Sequence, residues 1–374
     1  MNKNSKIYVA GHRGLVGSAL LRNLKKKGYD NIVCRSSKEM DLTRQADVEK
    51  FFEDEKPEYV FLAAAKVGGI LANSTYTAQF IYENMMIAGN VIHASYKYSV
   101  KKLLNLGSSC IYPKNCPQPM KEEYLLTGAL EPTNEPYAVA KIAAIKLCRY
   151  YNSQYGTNFI SVMPTNLYGE NDNFNLETAH VLPMLTRKFH LAKLLSEDDF
   201  EGIKNDLIKY PLGFGYEGKI DFSDRPALVK ILGKLGISGD CVYIWGTGKP
   251  YREFLNSDDL SDACVFLMEN KNYKDIGEFV NIGSGSDKTI AEYAQIIKNT
   301  VGFNGKILND FSKPDGTPRK LLDVSRLSSL GWKSHIDIKE SLRIYYKNYT
   351  DTVKYPVPPA ADRPFYEKGE LAAE

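Results

Sequence analysis

A tyrosine and a lysine four residues apart are the first pair in this sequence with a defined chemical use. Tyr137 and Lys141 would share one face of a helix, because residues four apart are neighbours on a helix surface. With 25 tyrosines in the chain the spacing alone is a weak signal, and Ser108, which lies near the end of an apolar run, strengthens it. A lysine favours the tyrosine anion, and the three side chains together can protonate a carbonyl oxygen as hydride arrives.

A glycine-rich stretch follows the first apolar run of the chain. Its spacing is G-x-x-G-x-x-G, between a predicted strand and a predicted helix. Glycines permit a tight turn and close backbone approach, and a helix N-terminus favours a pyrophosphate. The alternative is an ordinary turn between a strand and a helix. We predict a dinucleotide site that comprises Gly11, His12, Arg13, Gly14, Leu15, Val16 and Gly17.

The end of the second predicted strand distinguishes NAD from NADP(H). An acidic residue at this point binds the ribose hydroxyls of NAD, and segment 34–38 contains none. Arg13 and Arg35 can instead donate to a 2′-phosphate, so we predict NADP(H). The further contacts predicted at this end of the cofactor are Ser37, Lys38, Asp41 and Leu42. Asp41 would meet the adenine amino group, or it is simply a solvated loop residue.

Apolar runs and amphipathic segments alternate through the first half of the chain. The pattern predicts strands at 7–10, 31–35, 59–65, 103–109 and 159–164. It predicts helices at 15–27, 45–55, 75–98 and 133–155. Repeated βα units are typical of an α/β fold, here a Rossmann-type doubly wound parallel sheet. Ligands of such a sheet bind at the carboxyl ends of its strands.

The alternation ends near residue 169. We assign 1–169 to the NADP-binding Rossmann domain, with a return segment at about 241–275. A smaller α/β substrate-binding domain is predicted from 170–240 and 276–350. Residues 351–374 contain several prolines and have little to bury, so we predict a tail there.

Long, irregular motifs in this chain resemble those of the GDP-L-fucose synthase family, which are extended short-chain dehydrogenases. The resemblance covers about residues 5–350. The motifs are Gly-His-Arg-Gly-Leu-Val-Gly at 11–17, Ala-Ala-Ala-Lys-Val-Gly-Gly at 63–69, Gly-Ser-Ser-Cys-Ile-Tyr-Pro at 107–113, Glu-Pro-Thr-Asn-Glu-Pro-Tyr-Ala at 131–138, Met-Pro-Thr-Asn-Leu-Tyr-Gly at 163–169 and Lys-Pro-Asp-Gly-Thr-Pro-Arg-Lys at 313–320.

The resemblance implies a role for each residue of the reaction centre. Ser108, Tyr137 and Lys141 would carry reduction at C4 of a 4-keto sugar. Cys110 and His180 would be the acid–base pair that epimerises C3 and C5, because thiols and imidazoles exchange protons near neutral pH. The plainer alternatives are that Cys110 is a small buried residue and that His180 caps the following helix.

Substrate and cofactor contacts are also implied by the resemblance. Pro164, Thr165, Asn166 and Leu167 would line the nicotinamide and the sugar. The expected contacts of GDP and the sugar are Asn166, His180, Lys188, Trp245, Arg252 and Asp315. A guanidinium binds phosphate oxygens bidentately, which suits Arg252 to a diphosphate, although a salt bridge to Glu253 or Asp259 is the alternative.

Two features depart from the family pattern. Lys188 stands where the family typically has an arginine, which keeps the charge but loses the planar fork; Arg187 beside it is a possible substitute. A segment inserted within 192–240 has a mixed composition and is predicted to fold, with helical pieces. It is either peripheral or reshapes the sugar pocket for a larger substrate, such as a 6-deoxyheptose.

We therefore predict an NADPH-dependent enzyme that epimerises and reduces a GDP-4-keto-6-deoxy sugar, with C4 reduction of a related heptose as the alternative. A net charge of +3 gives no indication of nucleic-acid binding, and no apolar run reaches the length of a membrane span. Six scattered cysteines argue against a metal site and fit a reducing cytoplasm. The resemblance alone suggests a homodimer through helices 75–98 and 133–155.

Overall fold

A computed structural model of the protein describes residues 1–216 and 218–354, so the predicted tail lies outside the described residues apart from 351–354. The strands are β1 (Ile7–Ala10), β2 (Ile32–Val33), β3 (Tyr59–Leu62), β4 (Lys102–Leu106), β5 (Phe159–Pro164), β6 (Asn166–Tyr168), β7 (Cys241–Trp245), β8 (Tyr251–Arg252), β9 (Phe254–Asn256), β10 (Val280–Ile282), β11 (Lys288–Thr289), β12 (Lys306–Asp310) and β13 (Arg319–Lys320).

The helices are α1 (Leu15–Lys26), α2 (Gln45–Glu55), α3 (Ile70–Thr75), α4 (Thr77–Lys97), α5 (Glu135–Tyr155), α6 (Val181–Ser196), α7 (Phe200–Lys209), α8 (Arg225–Lys234), α9 (Ser257–Asn270), α10 (Tyr273–Ile276), α11 (Ile290–Val301), α12 (Ser325–Ser329) and α13 (Ile338–Lys354). Among the described residues, no helix is long and apolar enough to cross a membrane.

The central sheet has six strands in the order β2-β1-β3-β4-β5-β10. Every pairing in it is parallel. The order reverses at β1 and β3, which is the point where doubly wound sheets bind their ligands. The predicted α/β fold with a Rossmann-type sheet is therefore confirmed.

Both faces of this sheet are covered, which explains the continuous apolar runs in its sequence. Ile7 and Val9 of β1 face a cluster built with α1 and α9, whereas Tyr8 and Ala10 face one built with α2, α4 and α5. Successive side chains of a strand point to opposite faces, so one strand serves two cores. The sheet is thereby held rigid beneath its carboxyl edge.

The inserted segment folds into helices, as predicted. It contributes α7 and α8, and their apolar residues join α6, α11 and α13 in one large cluster. Ile203 of α7 and Leu232 of α8 are fully buried there. The insertion is thus part of the second core and not a peripheral addition.

Two strands from the second half of the chain, β7 and β10, join different sheets. Cys241–Trp245 pairs with β12 in a separate two-stranded sheet, whereas Val280–Ile282 joins β5 in the central sheet. One strand of the predicted return segment, β7, thus pairs outside the central sheet, and β10, which joins that sheet, lies beyond 241–275; the domain boundaries stay a prediction. At the C-terminus α13 continues to Lys354, four residues into the expected tail. Apolar periodicity predicted the strands but not which sheet each would join.

Candidate active site

Three of the predicted catalytic residues meet at the carboxyl end of β4. Ser108 and Cys110 follow this strand, and Cys110 lies in a short 3₁₀ turn whose backbone N–H donates to the Ser108 hydroxyl at 3.4 Å. Tyr137, in the first turn of α5, is hydrogen bonded with the same hydroxyl. The serine is thus placed between the thiol-bearing turn and the phenol.

Lys141 lies one turn after Tyr137, within a buried part of α5. Its ammonium donates to the main-chain oxygen of Leu106 at 2.8 Å and lies 5.7 Å from the centre of the Tyr137 ring. Desolvation lowers the pKa of Lys141 to about 8, an effect that the nearby Cys110 opposes. The lysine is therefore close to the phenol without being hydrogen bonded to it.

The protonation state of Tyr137 differs from the simple expectation for a tyrosine beside a lysine. Desolvation raises the pKa of Tyr137, Cys110 raises it further, and the hydrogen bond with Ser108 opposes the rise. The Lys141 ammonium is hydrogen bonded to the Leu106 carbonyl and not to the phenol. Tyr137 is therefore protonated at neutral pH, which is the state that a proton donor needs.

Lys320 is a residue of this site to which the sequence analysis gave no role. It occurs in the last motif of the family resemblance, and the structure places it beside Cys110. Burial raises the pKa of the Cys110 thiol, while Ser108, Lys320 and Lys141 lower it. A small cavity is lined by Cys110, Lys320 and Glu131, among others. Only the tertiary structure could reveal this neighbour, since 209 residues lie between Cys110 and Lys320 in the chain.

His180 stands at the N-terminal end of α6 and is exposed. Its side chain accepts no hydrogen bond from the first turn of that helix, so the alternative role as a helix cap is not observed. Desolvation lowers the pKa of His180, which leaves the imidazole neutral at pH 7. The residues just before it contact Gly69, whose N–H donates to the Thr178 oxygen at 3.2 Å. His180 thus lies close to the loop that follows β3.

The glycine loop forms a tight turn whose backbone lies close to neighbouring backbone. Gly11 has a φ of +81°, and a Cβ there would lie 2.7 Å from the Ala64 nitrogen. A Cβ on Gly17 would lie 2.0 Å from the Gly11 oxygen, so no larger residue fits at either position. Gly14 is the first residue before α1 and has no side chain over its N–H groups. Leu15 and Val16 are half-buried at the base of the helix.

His12 lies inside this loop with its Nδ1 atom enclosed and without a hydrogen-bond partner among the described residues. Desolvation lowers the pKa of His12, and Arg13 lowers it further. An enclosed, unpaired ring nitrogen beside a phosphate-binding loop is consistent with a polar ligand at this point.

The predicted 2′-phosphate site contains Arg13 and Arg35, and the structure also places an acidic residue, Glu39, near both of them. Arg13 is exposed, and Arg35 donates to Glu55 at 2.6 Å and to the Cys34 oxygen at 2.9 Å. Both arginines lie close enough to Glu39 to lower the pKa of its carboxyl, although hydrogen bonds from Ser36 are the larger cause. Ser37 and Lys38 are exposed beside them. Both arginines lie near Glu39, Arg35 also has a structural ion pair with Glu55, and their contact with a 2′-phosphate stays a prediction.

Asp41 and Leu42 form the next part of the predicted cofactor edge. Asp41 is exposed and its carboxylate accepts the backbone N–H and hydroxyl of Thr43, at 2.9 and 2.7 Å. The oxygen of Leu42 accepts the side-chain amide of Asn90 at 2.9 Å, which fixes this loop on α4. Contact of Asp41 with adenine stays a prediction, since its hydrogen bonds equally explain a loop residue.

The segment after β5 turns across the carboxyl edge of the sheet. Pro164 pairs with Ile282, and the Thr165 N–H donates to the Ile282 oxygen at 3.0 Å. Asn166 is half-buried, and its amide donates to the Glu253 oxygen at 3.0 Å. Leu167 packs at the rim of the sheet core. This path brings the four residues to the sheet edge where the nicotinamide is expected.

Lys188 and Arg187 take different directions from α6, and both are buried. The Lys188 ammonium donates to the Tyr243 oxygen at 3.1 Å, and desolvation lowers the pKa of Lys188 to about 8. Arg187 points into the second core, where it pairs with Asp206 of the insertion. Arg187 therefore cannot replace a substrate-contacting arginine, because no part of its side chain is accessible.

The predicted GDP residues lie on and around β7 and β8. Trp245 is 51% exposed, with the Lys313 ammonium 5.6 Å from the centre of its ring. Arg252 donates to the oxygens of Tyr251 and Thr317, at 2.7 and 2.6 Å.

Asp315 completes the predicted GDP site. Its carboxylate accepts the Thr247 N–H at 2.8 Å and the Thr247 hydroxyl at 2.7 Å, which fixes the 313–318 loop beside Trp245.

The acidic pair Asp258 and Asp259 has no role at this site. Asn256 caps α9, because its side chain accepts the Asp258 N–H. Asp259 accepts N–H groups of His335 and Ile336. Among the described residues Arg252 donates to main-chain oxygens and forms no ion pair with Glu253 or Asp259, so that alternative is not observed. Within the described part of the chain, no three acidic, histidine or cysteine residues are arranged to hold a metal ion.

The sheet, the glycine turn and the serine–tyrosine–lysine cluster define a nucleotide-dependent enzyme of the extended short-chain dehydrogenase class. The model of the NAD dependent epimerase/dehydratase family matches residues 7–204 and 223–283, and the break between them falls in the insertion. Within this class the chain belongs to the GDP-L-fucose synthase family. It is 51% identical to GDP-L-fucose synthase 1 of Arabidopsis thaliana over 352 residues, which is 94% of this chain and 95% of that protein.

Two solved structures from Campylobacter jejuni are similar to nearly the whole chain. One is a GDP-6-OMe-4-keto-L-xylo-heptose reductase, with 45% identity, a TM-score of 0.87, and coverage of 94% of this chain and 99% of that one. The other is a GDP-D-glycero-L-gluco-heptose synthase in the presence of NADPH, with 45% identity, a TM-score of 0.86, and coverage of 93% and 99%.

Proposed function

We propose that the protein converts a GDP-linked 4-keto-6-deoxy sugar by epimerisation at C3 and C5 followed by NADPH-dependent reduction at C4. The preferred reaction is GDP-4-keto-6-deoxy-D-mannose to GDP-L-fucose. The observation that carries this proposal is the cluster of Ser108, Cys110, Tyr137 and Lys141 at the carboxyl edge of a parallel sheet. It places a reduction apparatus and an epimerisation thiol in one site.

The cofactor is NADP(H), which when bound supplies hydride for the C4 carbonyl. The residues present fit it. Glycines at 11 and 17 let the turn pack directly against neighbouring backbone, and a Cβ at Gly14, where α1 begins, would have only the Gly11 oxygen near it, at 3.5 Å. The helix α1 that follows adds N–H groups and a positive dipole end for the pyrophosphate. Arg13 and Arg35 lie together where the 2′-phosphate is expected. A related Campylobacter jejuni structure was obtained in the presence of NADPH.

Reduction needs a proton for the oxygen at C4. Tyr137 supplies it, since the raised pKa of the phenol keeps it protonated at neutral pH. The Ser108 hydroxyl is hydrogen bonded with Tyr137, so it can hold the same carbonyl oxygen and polarise it. The buried Lys141 ammonium, 5.7 Å from the centre of the Tyr137 ring, supplies positive charge near the phenolate that forms.

Epimerisation needs one proton acceptor and one proton donor for each carbon that is inverted. The 4-ketone acidifies the C–H bonds at C3 and C5, so a thiol and an imidazole suffice as the pair. A neutral His180 and a protonated Cys110 provide one proton acceptor and one proton donor: the imidazole can take the proton from one face of the carbon and the thiol can give a proton to the other. That count suits an inversion, and Lys320 beside Cys110 stabilises a thiolate when it forms.

GDP recognition is proposed for the residues around β7 and β8. The exposed face of Trp245 can stack on the base, and Arg252 can donate to the diphosphate. Lys188 donates to the Tyr243 oxygen of β7, and Asp315 fixes the 313–318 loop by its bonds to Thr247. Asn166 and His180 are proposed to contact the sugar.

The test is incubation with GDP-4-keto-6-deoxy-D-mannose and NADPH in D₂O, followed by NMR of the product. Deuterium at both C3 and C5 of a reduced GDP-sugar is expected. Reduction without solvent deuterium would contradict the epimerase half of the proposal. Turnover with NADH as fast as with NADPH would contradict the assignment of Arg13 and Arg35.

A second candidate is a C4 reductase, with or without epimerisation, of a related GDP-4-keto-6-deoxyheptose. It is favoured by the two Campylobacter jejuni heptose enzymes and by where the insertion lies. The Phe214 N–H of the insertion donates to Glu177 at 2.6 Å, three positions before His180. Gly213 packs against the same carboxylate and against Asn175. A loop that reaches this close to His180 is placed to enlarge or restrict the sugar pocket.

Parallel assays with the two GDP-4-keto sugars, the 6-deoxyhexose and the 6-deoxyheptose, separate these candidates. A higher kcat/KM for the hexose supports GDP-L-fucose formation, and a higher value for the heptose supports the second candidate. A Phe214→Ala variant is expected to change the ratio of the two values. A variant at Phe311, which is exposed on a different segment, is the control and should leave the ratio unchanged.

We infer a homodimer formed through α4 and α5. Tyr82 is 61% exposed on α4, Tyr150 is 57% exposed on α5, and Tyr96 stacks on Tyr155 with ring centres 4.2 Å apart. Exposed apolar patches of this kind are typical of protein–protein interfaces. Light scattering after size-exclusion chromatography should give twice the mass of one chain, and a Tyr82→Glu/Tyr150→Glu variant should give a monomer. A monomeric wild type would contradict the inference.

We also infer that the protein acts in the cytoplasm. All six cysteines carry free thiols in the structure, and three of them are buried. Thiols persist in a reducing compartment. Fractionation of cells that express the protein should recover it with cytoplasmic markers.

A further inference from the structure

A buried glutamate connects the segments to which the nicotinamide and substrate contacts are assigned. Glu253 lies between β8 and β9, and its exposed fraction is 0%. We propose that Glu253 is a positioning residue that holds Thr165–Asn166, Arg252 and Lys320 in one arrangement for substrate binding and turnover. This inference rests on the proposed function for the identity of the substrate, and on geometry for the positioning itself.

The Glu253 carboxylate binds two loops that are far apart in the chain. One oxygen accepts the Gly285 N–H at 2.7 Å and the Ser284 hydroxyl at 3.3 Å. The other oxygen accepts the Leu322 N–H at 3.0 Å. The first loop follows β10 of the central sheet, and the second follows β13. One side chain therefore ties the central sheet to the strand that carries Lys320.

The main chain of the same residue holds the predicted nicotinamide and sugar contacts. The Glu253 carbonyl oxygen accepts the Asn166 side-chain amide at 3.0 Å and the Thr165 hydroxyl at 3.3 Å. Both donors belong to the turn after β5. A displacement of Glu253 would therefore be transmitted to the two side chains that are expected to line the reacting end of the cofactor.

The pairing of β8 with β13 links Glu253 to Arg252, the proposed diphosphate contact, and through Lys320 to the Cys110 thiol. Arg252 is directly opposite Lys320 in the parallel pair of β8 and β13. Lys320 in turn is close enough to Cys110 for each to shift the pKa of the other. The bond from Leu322 to Glu253 lies two residues beyond Lys320, so it fixes the end of this strand.

Among the described residues no cation pairs with the Glu253 carboxylate, and the chain packs closely over it. A Cβ on Gly283 would lie 2.3 Å from a carboxylate oxygen, so the loop fits closely over the acid. Burial raises the pKa of Glu253, opposed mainly by the two backbone N–H groups. Burying a carboxylate is costly unless its hydrogen bonds are satisfied. This carboxylate is hydrogen bonded to the loops at 284–285 and 322. We therefore explain the buried acid by the arrangement of these loops that it holds.

The first test is Glu253→Gln. An amide has one acceptor oxygen, so its NH₂ group must face either the Gly285 N–H or the Leu322 N–H, and that loop is released. We expect KM for the GDP-sugar to rise and kcat to fall, each roughly tenfold, the size of effect known for residues that orient ligand-binding side chains. The Kd for NADPH should remain within about twofold, because the glycine loop does not touch Glu253.

A second variant and a matched control protect the test against simple loss of folding. Gly283→Ala keeps the Glu253 carboxyl group but displaces it, and should give the same change in KM and kcat. Asp259→Asn removes the charge of another buried acid, whose partners are in the 334–336 loop. It should lower thermal stability while leaving KM and kcat unchanged. Wild-type values of KM and kcat in both Glu253→Gln and Gly283→Ala would overturn the proposal, as would equal kinetic losses in Asp259→Asn.

Binding of GDP alone, measured by calorimetry, separates this inference from the proposed reaction. A wild type that binds GDP but does not turn over GDP-4-keto-6-deoxy-D-mannose would contradict the reaction. In that case a roughly tenfold weaker Kd for GDP in Glu253→Gln, with the Asp259→Asn value unchanged, would still support the positioning role. Unchanged GDP affinity in both Glu253 and Gly283 variants would contradict it.

Discussion

Arg187 on α6 and Asp206 on α7 form a fully buried ion pair, with the guanidinium Nε 2.9 Å from the carboxylate. The remaining guanidinium N–H groups donate to the oxygens of Phe174, Tyr210 and Pro211. The second carboxylate oxygen accepts the Tyr349 hydroxyl. The pair therefore joins the insertion to α6, which begins just after His180, and to α13.

The first prediction concerns the stability that this pair provides. Asp206→Ala leaves a buried guanidinium without an anion, so the free energy of unfolding should fall by roughly 3–5 kcal/mol. Urea denaturation measures it. An Arg187→Met/Asp206→Leu double variant should recover much of the loss, since neither charge is then buried alone. Glu201→Gln, in an exposed pair with Lys204 on the same helix, is the control and should behave as wild type. An Asp206→Ala protein as stable as wild type would contradict the prediction.

The second prediction separates the two halves of the reaction. Tyr137→Phe removes the proton donor and should reduce the rate of NADPH oxidation about 10²–10⁴-fold. It should leave solvent exchange at C3 and C5 in place. Cys110→Ser should lose that exchange first and retain reduction of a substrate that is already epimerised. Equal loss of both steps in the cysteine variant would instead indicate a structural role for Cys110.

The third prediction concerns the pH dependence of reduction. Desolvation lowers the pKa of Lys141 from 10.5 to about 8, so its ammonium is present below that pH and is lost as the pH rises through it. The value of kcat/KM should therefore decline above about pH 8. Lys141→Arg should turn over more slowly at neutral pH but without this decline, because a guanidinium keeps its proton to about pH 12. A decline at the same pH in both proteins would assign it to another group.

The fourth prediction concerns cofactor choice. Arg13→Ala should raise KM for NADPH at least about tenfold with little change for NADH, because a charge-assisted bond to the 2′-phosphate is lost. Arg35→Ala should do the same and also lower stability, since it breaks the bond to Glu55. Arg44→Ala removes an exposed arginine paired with Asp47 and is the control. Initial rates with both cofactors measure the effect, and equal losses for NADPH and NADH would contradict it.

The sequence predicted the local elements of the site well. The bounds of β1, α2 and β5 agree with those expected, and Gly11 has the left-handed conformation that only glycine adopts readily. These features depend on residues that are neighbours in the chain. The roles given to the site residues, with Lys188 and Asp41 among them, stay predictions, since the structure adds hydrogen bonds for these two that do not require a ligand.

The sequence by itself determined the parallel sheet, the phosphate-binding turn and the spacing of Tyr137 and Lys141, because apolar periodicity and glycine spacing act within a few residues. Only the tertiary structure decided that Arg187 faces Asp206, that Lys320 lies beside Cys110 and that Glu253 joins three segments. It also decided the protonation of Tyr137, through burial. Burial and long-range hydrogen bonds depend on how separate elements pack, and a local sequence pattern does not determine that packing.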